Sequence, residues 1–151
     1  MTKEQALQKL KHYCGYQERC HAEVKEKLYS FGLWKKDVEA LLAQLIEENY
    51  LNEERFAQLF AGGKFRMKHW GRIKIKYELK QKKLSDYCIK KGLQEIDEDD
   101  YMKTLRKLAA TKWTSLKNEK NIFTRKNKTM KYLLQKGYES NLIMETIVGF
   151  Q

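Results

Sequence analysis

The sequence predicts an all-α protein made of three tandem three-helix repeats that form an elongated, curved array. Three observations carry this. Proline is absent from all 151 residues, which removes the commonest helix breaker. Apolar residues recur mainly at helical spacing. One pattern also occurs three times, since residues 21–45, 72–96 and 126–150 align without a gap at offsets of 51 and 54 residues.

The aligned columns define the elements. Leu28 meets Leu79 and Leu133, and Leu33 meets Leu84 and Tyr138. Val38, Ile89 and Ile143 share a column, then Leu42, Leu93 and Ile147, then Leu45, Ile96 and Phe150. The last three columns are spaced four and three apart, one face of a helix. Just before the Leu33 column stand Gly32, Lys83 and Gly137. Glycine there suits a left-handed helix C-cap, so two helices should meet at that point. Lys83 must adopt a costlier conformation, or the turn in the second repeat differs. After the turn, Asp37, Ser85 and Ser140 lie near the next helix start, where oxygen side chains can cap free amides.

A further helix precedes each pair. The first is built on Ala6, Leu7, Leu10 and Tyr13. The second follows Asn52, a good N-cap, with Phe56, Leu59 and Phe60 as its expected buried stripe. The third starts near Asp99 and runs through Met102, Leu105, Leu108 and Ala109. If it reaches Leu116 it forms a rod of roughly 27 Å. The repeats are therefore expected at residues 1–49, 50–97 and 98–151. One segment dissents: Ile73, Ile75, Tyr77 and Leu79 alternate with polar residues, which taken alone reads as a strand. The matching stretches His21–Leu28 and Lys126–Leu133 do not alternate, so a helix with two partly apolar faces is expected, one of them free to pack on a neighbour.

The formal net charge is +11, and its placement says more than its total. Residues 62–92 carry +9 and residues 103–136 carry +10, separated by the acidic stretch Glu95, Asp97, Glu98, Asp99 and Asp100. Residues 1–61 are nearly neutral at −1. Two basic blocks of this size attract polyanions by counterion release, although a basic face can also be simply solvated. The three cysteines, Cys14, Cys20 and Cys88, form no paired framework, and the longest apolar run, Ala40 to Ala43, is far too short for a membrane span. Reduced thiols, a cytoplasmic location and no membrane association are expected.

The strongest functional signal is the basic run Lys64, Arg66, Lys68, Arg72, Lys74, Lys76, Lys80, Lys82 and Lys83. On a helix Arg72, Lys76, Lys80 and Lys83 form one stripe, able to meet phosphates or acidic side chains along a groove. Trp70 sits at its start, either stacking on a base or packing between repeats. Arg125, Lys126 and Lys128 give the third repeat a basic face of its own.

From Asn49 to Leu84 the residues resemble the RecX family. The stretch Asn49-Tyr50-Leu51-Asn52-Glu53-Glu54-Arg55-Phe56-Ala57 is similar to the family's glycine-tyrosine-leucine-acidic pattern before arginine-phenylalanine-alanine. Phe60, Lys64, Arg66 and Gly71, followed by Ile75, Glu78-Leu79, Lys82 and Leu84, resemble its basic run leading through glycine into an isoleucine, glutamate-leucine helix. Asn49 and Lys83 stand where the family usually has glycine. The resemblance implies a non-enzymatic, monomeric modulator of the RecA recombinase. Such a protein binds the RecA filament on single-stranded DNA, inhibits RecA ATP hydrolysis and strand exchange, and in some members touches DNA directly. The residues alone also fit a sequence-nonspecific nucleic-acid-binding module.

Other chemistry is poorly supported. Gly62-Gly63 lacks phosphate-loop spacing and instead marks a kink or a close helix approach. His12, Cys14, Cys20 and His21 lie outside the common zinc spacings, so no metal or other cofactor is expected. Adjacent acids such as Glu47/Glu48 diverge on a helix, and no catalytic constellation can be assembled.

Overall fold

The computed structural model describes residues 1–151 and contains nine α-helices, no strand, and 74% helical residues. They are α1 (Lys3–Tyr16), α2 (His21–Ser30), α3 (Lys35–Glu47), α4 (Glu53–Lys68), α5 (Arg72–Gln81), α6 (Asp86–Leu93), α7 (Glu98–Ser115), α8 (Ile122–Lys136) and α9 (Ser140–Ile147). None is long and apolar enough to cross a membrane.

Oxygen side chains start several of these helices by satisfying free amides. Thr2 accepts from the Gln5 amide while the Gln5 side chain accepts from the Thr2 amide, a complete capping box. Asn52 accepts from Arg55 N at 2.9 Å, Ser85 from Cys88 N at 3.2 Å, Asp97 from Asp100 N at 3.0 Å, and Asn121 from Thr124 N at 3.1 Å. Asp37 and Ser140 do not cap. Trp34 and Glu139 hold those N-cap positions without a side-chain bond, and Glu139 is drawn away by other partners.

The repeat columns are the core. Leu28, Leu79 and Leu133 are fully buried, as are Val38 and Ile143, with Ile89 nearly so. Each such side chain contributes about 1.5–3 kcal/mol by leaving water. The residue before the Leu33 column is left-handed in all three repeats, at φ 81° for Gly32, 65° for Lys83 and 101° for Gly137. The turn is therefore kept in the second repeat despite the lysine. Asn49 is likewise left-handed, at φ 63°.

The chain packs as two compact units, residues 1–60 with 79–92 and residues 61–78 with 93–151. In the first, Ala6, Leu10 and Cys14 of α1 meet Val24 and Leu28 of α2 and Val38, Leu41, Leu42 and Leu45 of α3. Gly92 of α6 lies so close to the Ala57 backbone of α4 that a Cβ would sit 2.7 Å from the Ala57 oxygen. In the second unit, Tyr101, Leu105, Ala109 and Trp113 form the inner stripe of α7. The rings of Phe65, Tyr101 and Tyr138 follow one another at 5.8 and 5.0 Å.

Two expected details differ. The buried stripe of α4 is Phe56, Ala57, Ala61 and Phe65, and Leu59 is 55% exposed. Leu59 lies on the far side of a helix whose inner face advances in steps of four. The alternating segment is the helix α5, with Ile75 and Leu79 fully buried and Ile73 and Tyr77 facing solvent. The atoms nearest a Cβ at Gly62 would be those of the Arg66 guanidinium.

Candidate functional site

The candidate surface is built, in the second unit, on the end of α4, the turn 69–71 and α5 as far as Glu78; Lys80, Lys82 and Lys83 belong to the first unit. The turn is a left-handed C-cap. His69 has φ 58°, its amide donates to Phe65 O at 2.9 Å, and Trp70 N reaches back to Lys64 O at 3.3 Å. Tyr138 Oη donates to His69 O at 2.9 Å and Lys136 Nζ to Lys68 O at 3.3 Å, bracing the turn from behind. The start of α5 is seated on the end of α8, where Gly71 N donates to Lys136 O at 2.8 Å and Ile73 N to Gly137 O at 2.9 Å. Any side chain at Gly71 would collide with the Gly137 carbonyl. The turn is thus held rigid where its side chains meet solvent.

Trp70 is half-buried, with Lys64 Nζ 5.0 Å and Lys74 Nζ 4.6 Å from the ring. It gathers cations from two helices. Arg66, Lys68, Lys76 and Lys80 are exposed. Lys80 has only a loose partner, Asp86 at 3.9 Å, with both side chains open to solvent. Lys82 lies over the Phe60 ring at 5.7 Å, and exposed Lys83 ends the helix. Beside the cations, Ile73 and Tyr77 are 52% and 60% exposed.

Arg72 differs from the rest of its stripe. Nη1 donates to Glu98 and Nε to Glu139, each at 2.8 Å, and the guanidinium stacks 3.9 Å from the Tyr101 ring centre. Burial works to lower its pKa, but Glu98 and Glu139 overcome this and the net shift is upward. Tyr101 Oη accepts from Arg72 N and donates to Glu139. Its phenol is pushed up by burial and by that acceptor. Arg72 is a joint within the fold.

The third-repeat candidates are also engaged. Arg125 stacks 3.9 Å from the Trp113 ring centre and donates twice to Trp113 O, at 3.0 and 2.7 Å. Lys126 Nζ donates to Val148 O at 3.3 Å, and Lys128 pairs with Glu119 at 3.1 Å. The open cations of this repeat are elsewhere: Lys103, Arg106 and Lys107 lie exposed on α7 with no carboxylate partner. Their spacing of three and one, on one helix edge, was the available sequence signal.

Nine helices in successive triplets, with cations and apolar side chains exposed together on α5, define a helical-repeat protein. The models of the second and third three-helix domains of RecX match residues 52–93 and 98–147, together more than half of the chain. The chain belongs to the RecX family. It is 37% identical over 117 residues to the regulatory protein RecX of Clostridium tetani, covering 77% of this chain and 53% of that protein. The regulatory protein RecX of Clostridium perfringens is 34% identical over 118 residues, covering 78% and 55%. That of Prosthecochloris aestuarii is 29% identical over 142 residues, covering 94% and 91%. The chain thus spans about half the length of the clostridial relatives. The crystal structure of RecX from Lactobacillus salivarius shares its fold with a TM-score of 0.88 at 20% identity, covering 97% of this chain and 94% of that one.

Proposed function

We propose that this protein regulates RecA by binding the RecA filament on single-stranded DNA, inhibiting its ATP hydrolysis and strand exchange without chemistry of its own. It would thereby modulate recombination and DNA repair. The observation that carries this reading is the solvent face of α5. Lys76 and Lys80 are open to a polyanion, and Ile73 and Tyr77 beside them are open to protein. Bare DNA rewards the cations but offers the two apolar side chains little, whereas a nucleoprotein filament rewards both. Trp70, with Lys64 and Lys74, extends the surface, and Arg66 and Lys68 add charge around it; Lys82 and Lys83 are further basic candidates in the first unit. In this reading Arg72, Arg125, Lys126 and Lys128, each held by a partner within the fold, contribute less to the contact than the open lysines do. The protein acts as a cytoplasmic monomer of three repeats, residues 1–49, 50–97 and 98–151.

A filament ligand obstructs strand exchange when it bridges neighbouring subunits and favours one filament geometry. One bound molecule then disturbs several subunits, so ATP hydrolysis should slow well below one molecule per RecA. The second reading, a general nucleic-acid binder, draws on the exposed Lys103, Arg106 and Lys107 row. Affinity for RecA–single-stranded DNA filaments and for naked strands, measured across a salt series, separates the two. Tighter binding to the filament at physiological salt supports regulation of RecA. Equal affinity for both, with no change in hydrolysis beyond competition for DNA, leaves the nucleic-acid binder.

A further inference from the structure

The nearly neutral first repeat holds a cleft that the basic blocks do not explain. It lies between α1 and α2 beside the loop 17–20 and has a volume of about 550 Å³. Its walls are aromatic, formed by Tyr13, Tyr16 and Phe31, and its charged lining is Lys9, Arg19 and Lys27. No carboxylate lines it. Glu23 and Glu26 line an adjoining depression that shares Tyr13 and Lys27 with it. The Arg19 guanidinium lies 3.7 Å from the Tyr13 ring centre, fixed there by a 3.1 Å bond from Nε to Tyr13 O. Lys27 Nζ is 5.5 Å from the Tyr13 ring and 6.0 Å from Phe31, and Lys9 Nζ is 5.8 Å from Phe31. None of the three cations has an acidic partner within the protein, and Tyr16 is 79% exposed.

We propose that this cleft binds single-stranded nucleic acid, taking an unpaired base against the Tyr16 and Phe31 rings and the flanking phosphates on Lys9, Lys27 and the Arg19 that covers Tyr13. Aromatic faces accept any base by stacking, and cations beside them complete the site for a strand. Lys27 is shared between the Tyr13 and Phe31 rings, with Arg19 over the first and Lys9 over the second. Cations set beside aromatic rings fit a strand, which brings bases and phosphates to the cleft together. Duplex DNA is a poor occupant, because its bases are stacked away from the rings. The site is separate from the α5 surface and does not depend on the filament reading.

The test uses the full chain and no RecA, so it can fail or succeed independently of RecA binding. A labelled short oligothymidylate is titrated with the parent and with Tyr16→Ala, whose exposed side chain can be removed without disturbing the core. Tyr16→Ala should bind the strand about tenfold more weakly, within the range for loss of one stacked base. It should bind an abasic strand of equal length as the parent does. Lys9→Ala should weaken both. Photo-crosslinking to a strand carrying 5-iodouracil should place adducts on Tyr16 or Phe31. Unchanged affinity of Tyr16→Ala, or adducts confined to Trp70 and α5, would overturn the proposal. So would displacement of the strand by equimolar thymidine monophosphate, which would assign the cleft to a free nucleotide.

Discussion

Replacing Arg72 with alanine should destabilise the protein, whereas replacing its stripe neighbours Lys76 and Lys80 should not. The Arg72 side chain is 25% exposed and bonds Glu98, which is 63% exposed, and Glu139, which is 26% exposed. Fully exposed pairs contribute about 0–1 kcal/mol, and breaking a fully buried pair costs about 3–5 kcal/mol. The Glu98 contact belongs near the first limit and the Glu139 contact between the two. Glu139 would also be left half-buried with only Tyr101 Oη as a donor. A loss of about 2 kcal/mol follows, or roughly 4–8 °C in Tm for a chain of this length. Thermal unfolding followed by circular dichroism measures it. Lys76→Ala and Lys80→Ala should melt within about 2 °C of the parent, because they remove exposed side chains without close partners. Arg72→Lys should recover only part of the loss, since an ammonium cannot span two carboxylates in fixed directions. An Arg72→Ala protein that melts with the parent would refute the joint. Arg72 would then return to the cations available for a partner.

Two further outcomes follow from the same geometry. Lys83→Gly should raise stability by about 0.5–1 kcal/mol, because a lysine at φ 65° carries the left-handed penalty while glycine costs some unfolded-state entropy; a denaturant midpoint unchanged or lowered would show that the lysine is not strained there. His21 should make stability fall as pH drops from about 7 towards 5. Burial lowers its folded pKa below the ordinary 6.5, against the opposing pull of Glu53, so the unfolded chain binds the proton first. The stability is therefore present above about 6.5 and lost as pH falls through the window down to the folded pKa. Removing that slope is the expected effect of His21→Gln, and an identical pH profile in the variant would exclude His21 as its source.

The buried columns and the left-handed turns were legible because they depend on local periodicity and on the residue types that tolerate positive φ. Lys83 shows how strongly the repeat governs. The backbone turns there as at Gly32 and Gly137, although the local residue disfavours it. The alternating Ile73–Leu79 segment was resolved correctly for the same reason. The fate of individual cations was not legible. Arg72 finds its carboxylates 26 and 67 residues away, and Arg125 finds a carbonyl 12 residues away. A charge pattern read along one helix shows none of these partners.

The repeat nevertheless contains the rule that separates these cations. His21 and Arg72 occupy the same register, 51 residues apart, at the start of the second helix of their triplets. Each meets an acid in the first turn of the helix that begins the next triplet: His21 Nδ1 lies 3.5 Å from Glu53, and Arg72 Nη1 lies 2.8 Å from Glu98. In the third repeat the same register holds Lys126, which turns to the Val148 carbonyl at the end of α9. An acid in a helix's first turn already favours its N-terminus, and a cation beside a C-terminal carbonyl favours that end. The register is therefore a tying position in all three repeats, by a different partner in the last. Lys76 and Lys80 stand one and two turns beyond it on α5, where the tie has ended and the side chains face solvent. The side chain at that register ties the fold, and the lysines beyond it on α5 face solvent.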